Sequence, residues 1–381
     1  MKINSNNEWD ELKEVILGTM EGYFPGLEFT KKFNYRNYKK ALKIAQSAYP
    51  KWYIDEVTED LDSLKSIFVK NRIKVLRPTK YNSKEIFKTP YFSAVGCDTY
   101  NVRDLHIVVG NKVISSSSPA KYRYFESYSL NQIFYKYLKK DGFQWISTPK
   151  NILKDKYLIP YKETKIIHLE EDAIQKKMMK GREEKFHYLT ENEIIFDAAS
   201  TIRMNKDLVY LVSNTGNYIG AKWLQHVLGK KYKVHTVTSY RASHIDSTIL
   251  PLNKNTVLIN SVRVPKDRVP SVFRKWKKIF FSEVAPVPEQ ELQFQKTYRD
   301  KAYYNLKDMG VDSYLNSISS PWAGLNVLSI NPNTVIVDQR QVNLIKELEK
   351  NKFKVLTTPL RHCYTMLGGL HCSTLDIVRK K

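Results

Sequence analysis

Short apolar runs separated by turn residues dominate the chain and predict β-hairpins. Four pairs of such runs each flank a turn rich in Asn, Gly or Pro, which is a strong local signal for two antiparallel strands. The second pair, for example, surrounds Asn205-Lys206-Asp207. The predicted pairs are 105–109 with 112–115, 202–204 with 208–212, 248–252 with 256–260, and 325–330 with 334–337.

A helix-like stretch and a further apolar run follow each predicted hairpin. After the fourth hairpin, Asp338 is a candidate helix cap, and Val342, Ile345 and Leu348 then fall on one helical face. Gly229 is a stop signal after the second stretch. The predicted helices are 128–138, 221–228, 272–278 and the one after Asp338, and the strands that follow are 143–146, 232–238, 280–281 and 353–356.

The two ends of the chain complete the repeat. Residues 374–378 and 12–17 are both apolar runs, and a helix at 60–70 and a strand at 73–76 are predicted after the N-terminal run. Pairing of the two runs would make a fifth strand–strand–helix–strand unit and close a ring. Repeats of this length indicate one cyclic α/β architecture. We therefore expect a single domain over residues 1–381.

Residues with charged or reactive side chains lie just before the first strand of each unit. Equivalent positions of a pseudo-symmetric ring meet around its axis, so we expect these side chains to lie close together. A thiol, an imidazole and three carboxylates would then lie together at one opening of the ring. The set comprises Asp104, Asp197, His244 with Asp246, Ser319 with Ser320, and His371 with Cys372.

This combination indicates a reaction on a cationic substrate. A thiolate is a strong nucleophile and an imidazole can move protons. Carboxylates beside a cysteine raise its pKa and would handicap an ordinary hydrolase, but they pair bidentately with a planar guanidinium. His371 is adjacent to Cys372, and neighbours in an extended chain point to opposite faces, so we expect only a supporting role for it.

Composition narrows the class of protein further. The net charge is +23, from 62 Lys and Arg against 39 Asp and Glu. The basic residues are spread along the chain with no nucleic-acid-binding motif, so we expect a lysine-rich solvated surface and no nucleic-acid partner. Three cysteines at long spacing, with no CxxC pair, argue against a disulfide framework and a structural zinc site.

Targeting signals are not visible in the sequence. The first residues lack the pattern of a signal or transit peptide, and no apolar run approaches the length of a membrane span. We therefore expect a cytoplasmic protein without membrane association.

Six segments resemble the glycine amidinotransferase family, whose members move an amidino group from arginine to an acceptor amine. They are spread over nearly the whole chain, and the fifth and sixth are specific for this family within the larger guanidine-modifying group. The resemblance implies the pentein fold, a fivefold pseudosymmetric α/β propeller, which agrees with the repeats. The segments are NEWDELKEVILG (7–18), RDLHIVVGN (103–111), FDAASTIR (196–203), NYIGAKWLQ (217–225), HIDSTILPL (244–252) and GGLHCSTLDIVRK (368–380).

The resemblance implies catalytic roles for three residues. Cys372 matches the family's nucleophile, which attacks the guanidino carbon of arginine. His244 matches the histidine that protonates the departing ornithine amine and later deprotonates the acceptor. Asp197 matches the carboxylate that orients this histidine and binds the guanidinium. The amidino group would travel as a covalent adduct of Cys372 in a ping-pong reaction, so we expect neither a metal nor an organic cofactor.

The resemblance also implies how the two small-molecule substrates are held. Asp104 matches the second guanidinium-binding carboxylate, and Asp246 matches the group that pairs with the donor's α-amine. Arg263 matches the arginine that holds the donor's α-carboxylate, and Ser320 matches a serine that assists it. Ser243 stands in a loop where glycine-using relatives carry a Pro-Met pair. An amine intermediate of secondary-metabolite biosynthesis is therefore at least as good a candidate acceptor as glycine.

Other interpretations stay open at this point. A hydrolase similar to arginine deiminases would use water as the acceptor, although the His-Ile-Asp and terminal motifs resemble the transferases. A basic binding protein without enzymatic activity is supported only by the net charge. The sequence leaves the acceptor amine and the oligomeric state undecided, and a homodimer is compatible with it.

Overall fold

The computed structural model describes residues 1–20, 27–29, 49–80, 82–83, 85–154, 158–160, 187–238, 244–283, 285–294, 311–312 and 321–380. Within these ranges the chain forms five three-stranded sheets of one design, each an antiparallel hairpin with a third strand parallel to the hairpin's second strand. The strands are His106–Val109, Lys112–Ser115 and Gln144–Ser147 in the first unit; Thr201–Met204, Asp207–Leu211 and Lys233–Val237 in the second; Ile249–Asn253, Thr256–Asn260 and Lys277–Phe281 in the third; Leu328–Asn331, Thr334–Asp338 and Lys354–Thr358 in the fourth; and Thr374–Lys380, Glu11–Leu17 and Lys74–Leu76 in the closing unit.

The two ends of the chain pair as the sequence predicts. Thr374–Lys380 runs antiparallel to Glu11–Leu17, which in turn runs parallel to Lys74–Leu76. The closing unit is therefore built from both ends of the chain, and Cys372 lies directly before the strand that joins them.

Buried side chains join neighbouring units around the ring. Successive residues of a strand point to opposite faces, so one strand contributes to two cores. In the first unit, Val108 packs against the closing unit, whereas Ile107 and Val109 pack against the second. Further cores join the second unit to the third, the third to the fourth, and the fourth to the closing unit. The predicted cyclic α/β architecture is thus confirmed, while a single domain over residues 1–381 stays a prediction.

A helix connects the second and third strands in four of the five units within the described residues. Gly229 ends the helix of the second unit with a φ of 69°, in the left-handed region that favours glycine. The helix of the closing unit begins earlier than predicted, directly after Pro50. The helices are Lys51–Lys70 in the closing unit, Asn131–Asp141 in the first, Tyr218–Leu228 in the second and Val342–Lys350 in the fourth.

The helix predicted at 272–278 in the third unit is wrong. A short 3₁₀ turn at Ser271–Phe273 occupies its start, and the strand Lys277–Phe281 takes over its end. This strand pairs in parallel with Thr256–Asn260 along its whole length. Tertiary pairing therefore overrides the local helical pattern.

The predicted helix cap at Asp338 is also wrong. Asp338 is the last residue of its strand, and the helix begins only at Val342. The Asp338 carboxylate accepts a hydrogen bond from the Arg340 backbone N–H at 3.0 Å and pairs with the Arg340 guanidinium at 2.8 Å. The side chain thus stabilises the turn between strand and helix.

Further short elements lie outside the repeat and were not predicted. Val311–Asp312, Leu27–Phe29, Ser93–Val95 and Ile86–Lys88 form a four-stranded sheet in that order. Leu158–Pro160 pairs with His187–Leu189, and Glu289–Phe294 is a short helix. Among the described helices, none combines the length and the apolar character that crossing a membrane would require.

A buried ion-pair cluster joins the N-terminal segment, the second unit and the closing strand. Arg203 contacts the Glu8 carboxylate at 2.7 Å and the Asp376 carboxylate at 2.8 Å. Asp376 also pairs with Arg103 at 2.8 Å and with Arg379 at 2.7 Å. All five side chains are at most 6% exposed. Each charge therefore depends on its partners, because water does not solvate it.

We predict that Arg203→Met lowers the free energy of unfolding by about 3–5 kcal/mol, because it leaves Glu8 buried without its main partner and Asp376 without one of its three. Chemical denaturation measures the loss. Lys350→Met is the control, since Lys350 pairs with Glu347 at the surface and such pairs contribute about 1 kcal/mol or less. Equal stability of the two variants would contradict the prediction.

Candidate active site

Five of the candidate residues, Asp104, Asp197, His244, Asp246 and Cys372, lie in the turns before the first strands of their units. Asp104 ends the 3₁₀ turn Val102–Asp104, and Asp197 caps the 3₁₀ turn Ala198–Ser200 by accepting the Ala199 N–H at 3.1 Å. His244 and Asp246 precede Ile249–Asn253, and Cys372 precedes Thr374–Lys380. Because the units surround one axis, these turns meet at the same end of the ring.

Four of the predicted residues form one cluster around His244. One side-chain ligand atom from each of Asp104, His244 and Cys372 lies within 4.8 Å of the other two. His244 Nδ1 is 3.7 Å from Asp104 Oδ1, and His244 Nε2 is 3.4 Å from Asp197 Oδ2. The His244 side chain is 17% exposed, against 2% for each of these two carboxylates. The imidazole therefore forms the most accessible edge of the cluster.

The carboxylates determine the charge of His244. Burial alone would lower the pKa of this imidazole, but Asp104, Asp197 and Asp246 outweigh it and raise the pKa to about 10. Burial, together with the neighbouring Asp197, raises the pKa of Asp104 to about 6 despite the opposing effects of His244 and Arg123. At neutral pH the cluster therefore holds a protonated imidazole among carboxylates.

Cys372 is buried beside a further carboxylate. Its Sγ donates to Asp246 Oδ2 at 3.4 Å, and its backbone N–H donates to Asn326 Oδ1 at 2.8 Å. Burial and the charges of Asp246 and Asp104 raise the pKa of the Cys372 thiol well above its usual range. The resting group is therefore the thiol, and it needs a nearby positive charge to ionise.

The two glycines before Cys372 allow close packing. A Cβ on Gly368 would lie 2.0 Å from Asn101 Oδ1 and 2.8 Å from Cys372 Cβ. A Cβ on Gly369 would lie 2.5 Å from the Ala323 carbonyl oxygen. Larger residues at either position would push the turn that carries Cys372 away from its neighbours.

The remaining predicted residues, Arg263, Ser243 and Ser320, are not among the clustered side chains that the structure describes. Arg263 is buried after the second strand of the third unit, where its Nη1 donates to Thr248 Oγ1 at 2.8 Å. Ser243 and Ser320 lie outside the described residues. Their predicted roles, like those of the clustered residues, stay predictions.

The sequence analysis missed three residues that hold the side chains of the site in place: Arg123, Glu126 and Asn326. Arg123 donates to Asp104 Oδ2 at 2.6 Å and is itself held by Glu126 at 2.5 Å, so this pair fixes one oxygen of Asp104. Asn326, just before the fourth unit, accepts a hydrogen bond from the Cys372 backbone N–H. It lies two residues before Leu328–Asn331, and the turn rule that found the other candidates could have found it.

A metal ion fits this cluster poorly, although carboxylate, imidazole and thiolate are all ligand types for zinc. A ligating imidazole must be neutral and must offer a free lone pair. Both ring nitrogens of His244 face carboxylates, and its raised pKa keeps the ring protonated. The charges suit an organic cation better.

Five three-stranded units, four of them with a connecting helix, surround a buried cysteine, histidine and carboxylate cluster and define a protein of the pentein fold. The arginine deiminase family model matches residues 228–379. Dimethylarginine dimethylaminohydrolase from Pseudomonas aeruginosa shares the fold, with a TM-score of 0.52 and 11% identity over 96% of this chain and 99% of that one.

Sequence comparison identifies the family. Inosamine-phosphate amidinotransferase 1 from Streptomyces glaucescens is 33% identical over 99% of this chain and 97% of its own length. The solved structure of an inosamine-phosphate amidinotransferase from Streptomyces griseus has a TM-score of 0.79 and 30% identity, over 100% of this chain and 97% of that one. A saxitoxin-pathway amidinotransferase from Microseira wollei has a TM-score of 0.75 and 28% identity, over 100% and 98%. The chain therefore belongs to the amidinotransferase family.

We predict that His244 titrates near pH 10 and that Asp104→Asn lowers its pKa by a unit or more, because the imidazolium then loses a buried counter-charge. NMR of the imidazole carbon–hydrogen pairs follows the titration. Asp207→Asn is the control, since Asp207 pairs only with the partly exposed His235 among the described contacts. Titration of His244 near its ordinary value in the parent protein would contradict the prediction.

Proposed function

We propose that this protein transfers the amidino group of L-arginine to an acceptor amine and releases L-ornithine. The observation that carries the proposal is the meeting of the Cys372 thiol with His244 and three buried carboxylates at one end of the ring. A thiol surrounded by carboxylates is a poor nucleophile until a cation binds, and a guanidinium is the cation whose central carbon a thiolate can attack. Membership of the amidinotransferase family supports the same chemistry.

Two carboxylates are suited to hold the guanidinium. Asp104 Oδ1 and Asp246 Oδ1 are buried and accept no hydrogen bond from within the part of the chain that the structure describes. Asp246 also touches the thiol, and the donor's α-amine lies a full arginine side chain away from the carbon that sulfur attacks. We therefore revise the role implied by the resemblance and assign Asp246 to the guanidinium.

In the first half-reaction, Cys372 forms a bond to the guanidino carbon and the bond from that carbon to the ornithine nitrogen breaks. His244 begins protonated and gives its proton to the departing amine, and the proton released by the thiol restores the imidazolium. Asp104 and Asp197 hold the imidazole between them throughout. The product is a positively charged amidino-thioether, which the same carboxylates stabilise.

In the second half-reaction, the acceptor amine attacks the amidino carbon and the carbon–sulfur bond breaks. The acceptor nitrogen loses one proton and the sulfur regains one, both through His244. Cys372 returns as a thiol, so no proton or electron is left over.

The acceptor is an amine of secondary metabolism. The relatives named above act on inosamine phosphates or serve saxitoxin biosynthesis, according to their names. The small Ser243 in place of the Pro-Met pair of glycine-using relatives points in the same direction. Water as the acceptor, as in arginine deiminases, is the alternative.

We expect the purified protein to convert arginine and a suitable amine into ornithine and a new guanidino compound, detected by mass spectrometry. Amino sugars, aminocyclitols and their phosphates, lysine and glycine form the acceptor panel. Cys372→Ala should abolish the reaction, because the group can no longer be carried on sulfur. Cys363→Ala is the matched control, since Cys363 is also buried but contacts Arg340 instead of the cluster.

Three results would decide between a transferase, a hydrolase and a reaction without a covalent cysteine adduct. Citrulline formed without dependence on any amine would replace the transferase with a hydrolase. Turnover that survives Cys372→Ala would overturn the covalent mechanism. Intact mass after arginine alone should reveal the amidino adduct on the parent protein and on Cys363→Ala, but not on Cys372→Ala.

Arg263 provides a separate test of how the donor is held. Agmatine is arginine without its α-carboxylate, so we expect the parent enzyme to prefer arginine through Arg263. Arg263→Gln should reduce the ratio of kcat/KM for arginine over agmatine by about ten- to a hundredfold, the value of a lost charged hydrogen bond. An unchanged ratio would exclude Arg263 from recognition of the carboxylate.

A further inference from the structure

A second buried histidine, His371, lies between two carboxylates on the inner side of the nucleophile. Its Nδ1 is 2.7 Å from Asp246 Oδ2, and its Nε2 is 3.2 Å from Glu8 Oε2. All three side chains are at most 2% exposed. The proposed mechanism uses His244 for proton transfer and gives His371 no task.

Both neighbours of His371 are ionised and can only accept hydrogen bonds. Burial would raise the pKa of Glu8, but Arg203 and His371 hold it well below its usual range. Burial would likewise raise the pKa of Asp246, but its hydrogen bond with His371 and the charges of His371 and His244 lower it. A ring nitrogen that carries a proton can donate a hydrogen bond to either carboxylate, and Nδ1 lies at such a distance from Asp246.

Burial alone does not give this arrangement, as another histidine shows. His106 is 1% exposed, and its ring nitrogens have no hydrogen-bond partner among the described residues. Burial lowers its pKa to about 3, so His106 is neutral. The two carboxylates are what distinguish the surroundings of His371.

The position of His371 matters because Asp246 Oδ2 is shared. The same oxygen accepts from His371 Nδ1 at 2.7 Å and from Cys372 Sγ at 3.4 Å. Once the thiol ionises, sulfur and this oxygen carry like charges in contact, which is costly in a buried site. A hydrogen bond donated by His371 to the same oxygen draws negative charge away from the sulfur side and offsets part of that cost.

We propose that His371, held by Glu8, is a positioning residue that fixes the Asp246 carboxylate against the Cys372 thiol and, by donating a hydrogen bond to that carboxylate, lets thiolate and carboxylate coexist. The inference rests on the proposed nucleophilic role of Cys372. It assigns the two histidines different tasks: His244 moves protons on the accessible side, and His371 supports the nucleophile from inside.

Other charged groups also face this thiol and must stay constant in a test. Asp104 and His244 reach it from the first and third units. Arg103 is paired with Asp376, and its Nε donates to the carbonyl oxygen of His371 at 2.8 Å. None of these residues is changed in the experiment below.

The test measures the rate at which iodoacetamide alkylates Cys372 as a function of pH, with peptide mass spectrometry to separate Cys372 from the other two cysteines. His371→Asn shortens the side chain, so that it can no longer contact Asp246 and Glu8 together. We expect the pH midpoint to rise by about one unit or more, so that alkylation slows about tenfold at a fixed pH below the midpoint. His362→Asn is the matched control, because His362 is also buried and paired with a carboxylate, Glu56, at 2.7 Å.

A double-mutant cycle shows whether His371 acts through Asp246. In an Asp246→Asn background, His371→Asn should change the midpoint by much less than it does in the parent. An unchanged midpoint with only a lower melting temperature, or equal shifts in both backgrounds, would overturn the proposal. Alkylation requires neither arginine nor an acceptor, so failure of the proposed transferase activity gives a separate result.

Discussion

The buried pairing of Arg203 with Glu8 and Asp376 is the interaction on which the ring and its site both depend. It joins the N-terminal segment to the second unit and to the closing strand, which are far apart in the sequence. Asp376 follows Cys372 by four residues, and Glu8 is the carboxylate that contacts His371. Removing so many charges from water is costly, so the cluster is stable only when every partner is present. Closure of the ring and placement of the nucleophile are therefore one event.

The charges around Cys372 keep its side chain in the thiol form. Asp104 and Asp246 raise the pKa of Cys372, and burial raises it further. The same carboxylates keep His244 protonated. A guanidinium changes this balance, because it neutralises the carboxylates and favours the thiolate it will react with. In the mechanism we propose, the substrate itself therefore activates the thiol, and the thiol form is less prone to oxidation while the site is empty.

Much of the architecture could be predicted because its signals are local. Two apolar runs on either side of a turn mark each hairpin. The recurrence of this pattern predicted the ring and the turns that meet at the site. What failed depends on distant contacts. The helix predicted at 272–278 gave way to strand pairing, and Glu8 reaches the site through His371, which is remote in the sequence. Arg123 contacts Asp104 from outside the turn positions that the repeat marks, whereas Asn326 occupies such a position and could have been found. The residues next to a position in the sequence do not show which charged side chain from a distant part of the chain will pack beside it.

The exposure of the cluster bears on the order of the reaction. His244 is 17% exposed, whereas Asp104, Asp197 and Asp246 are at most 2% exposed, so the reacting carbon is reached from the imidazole side. In the mechanism we propose, the departing amine and the entering amine both exchange a proton with this one imidazole. They would therefore occupy the same position in turn, which a transfer through a covalent cysteine adduct permits and a direct transfer between two bound amines does not. The proposal thus implies ping-pong kinetics whatever the acceptor is.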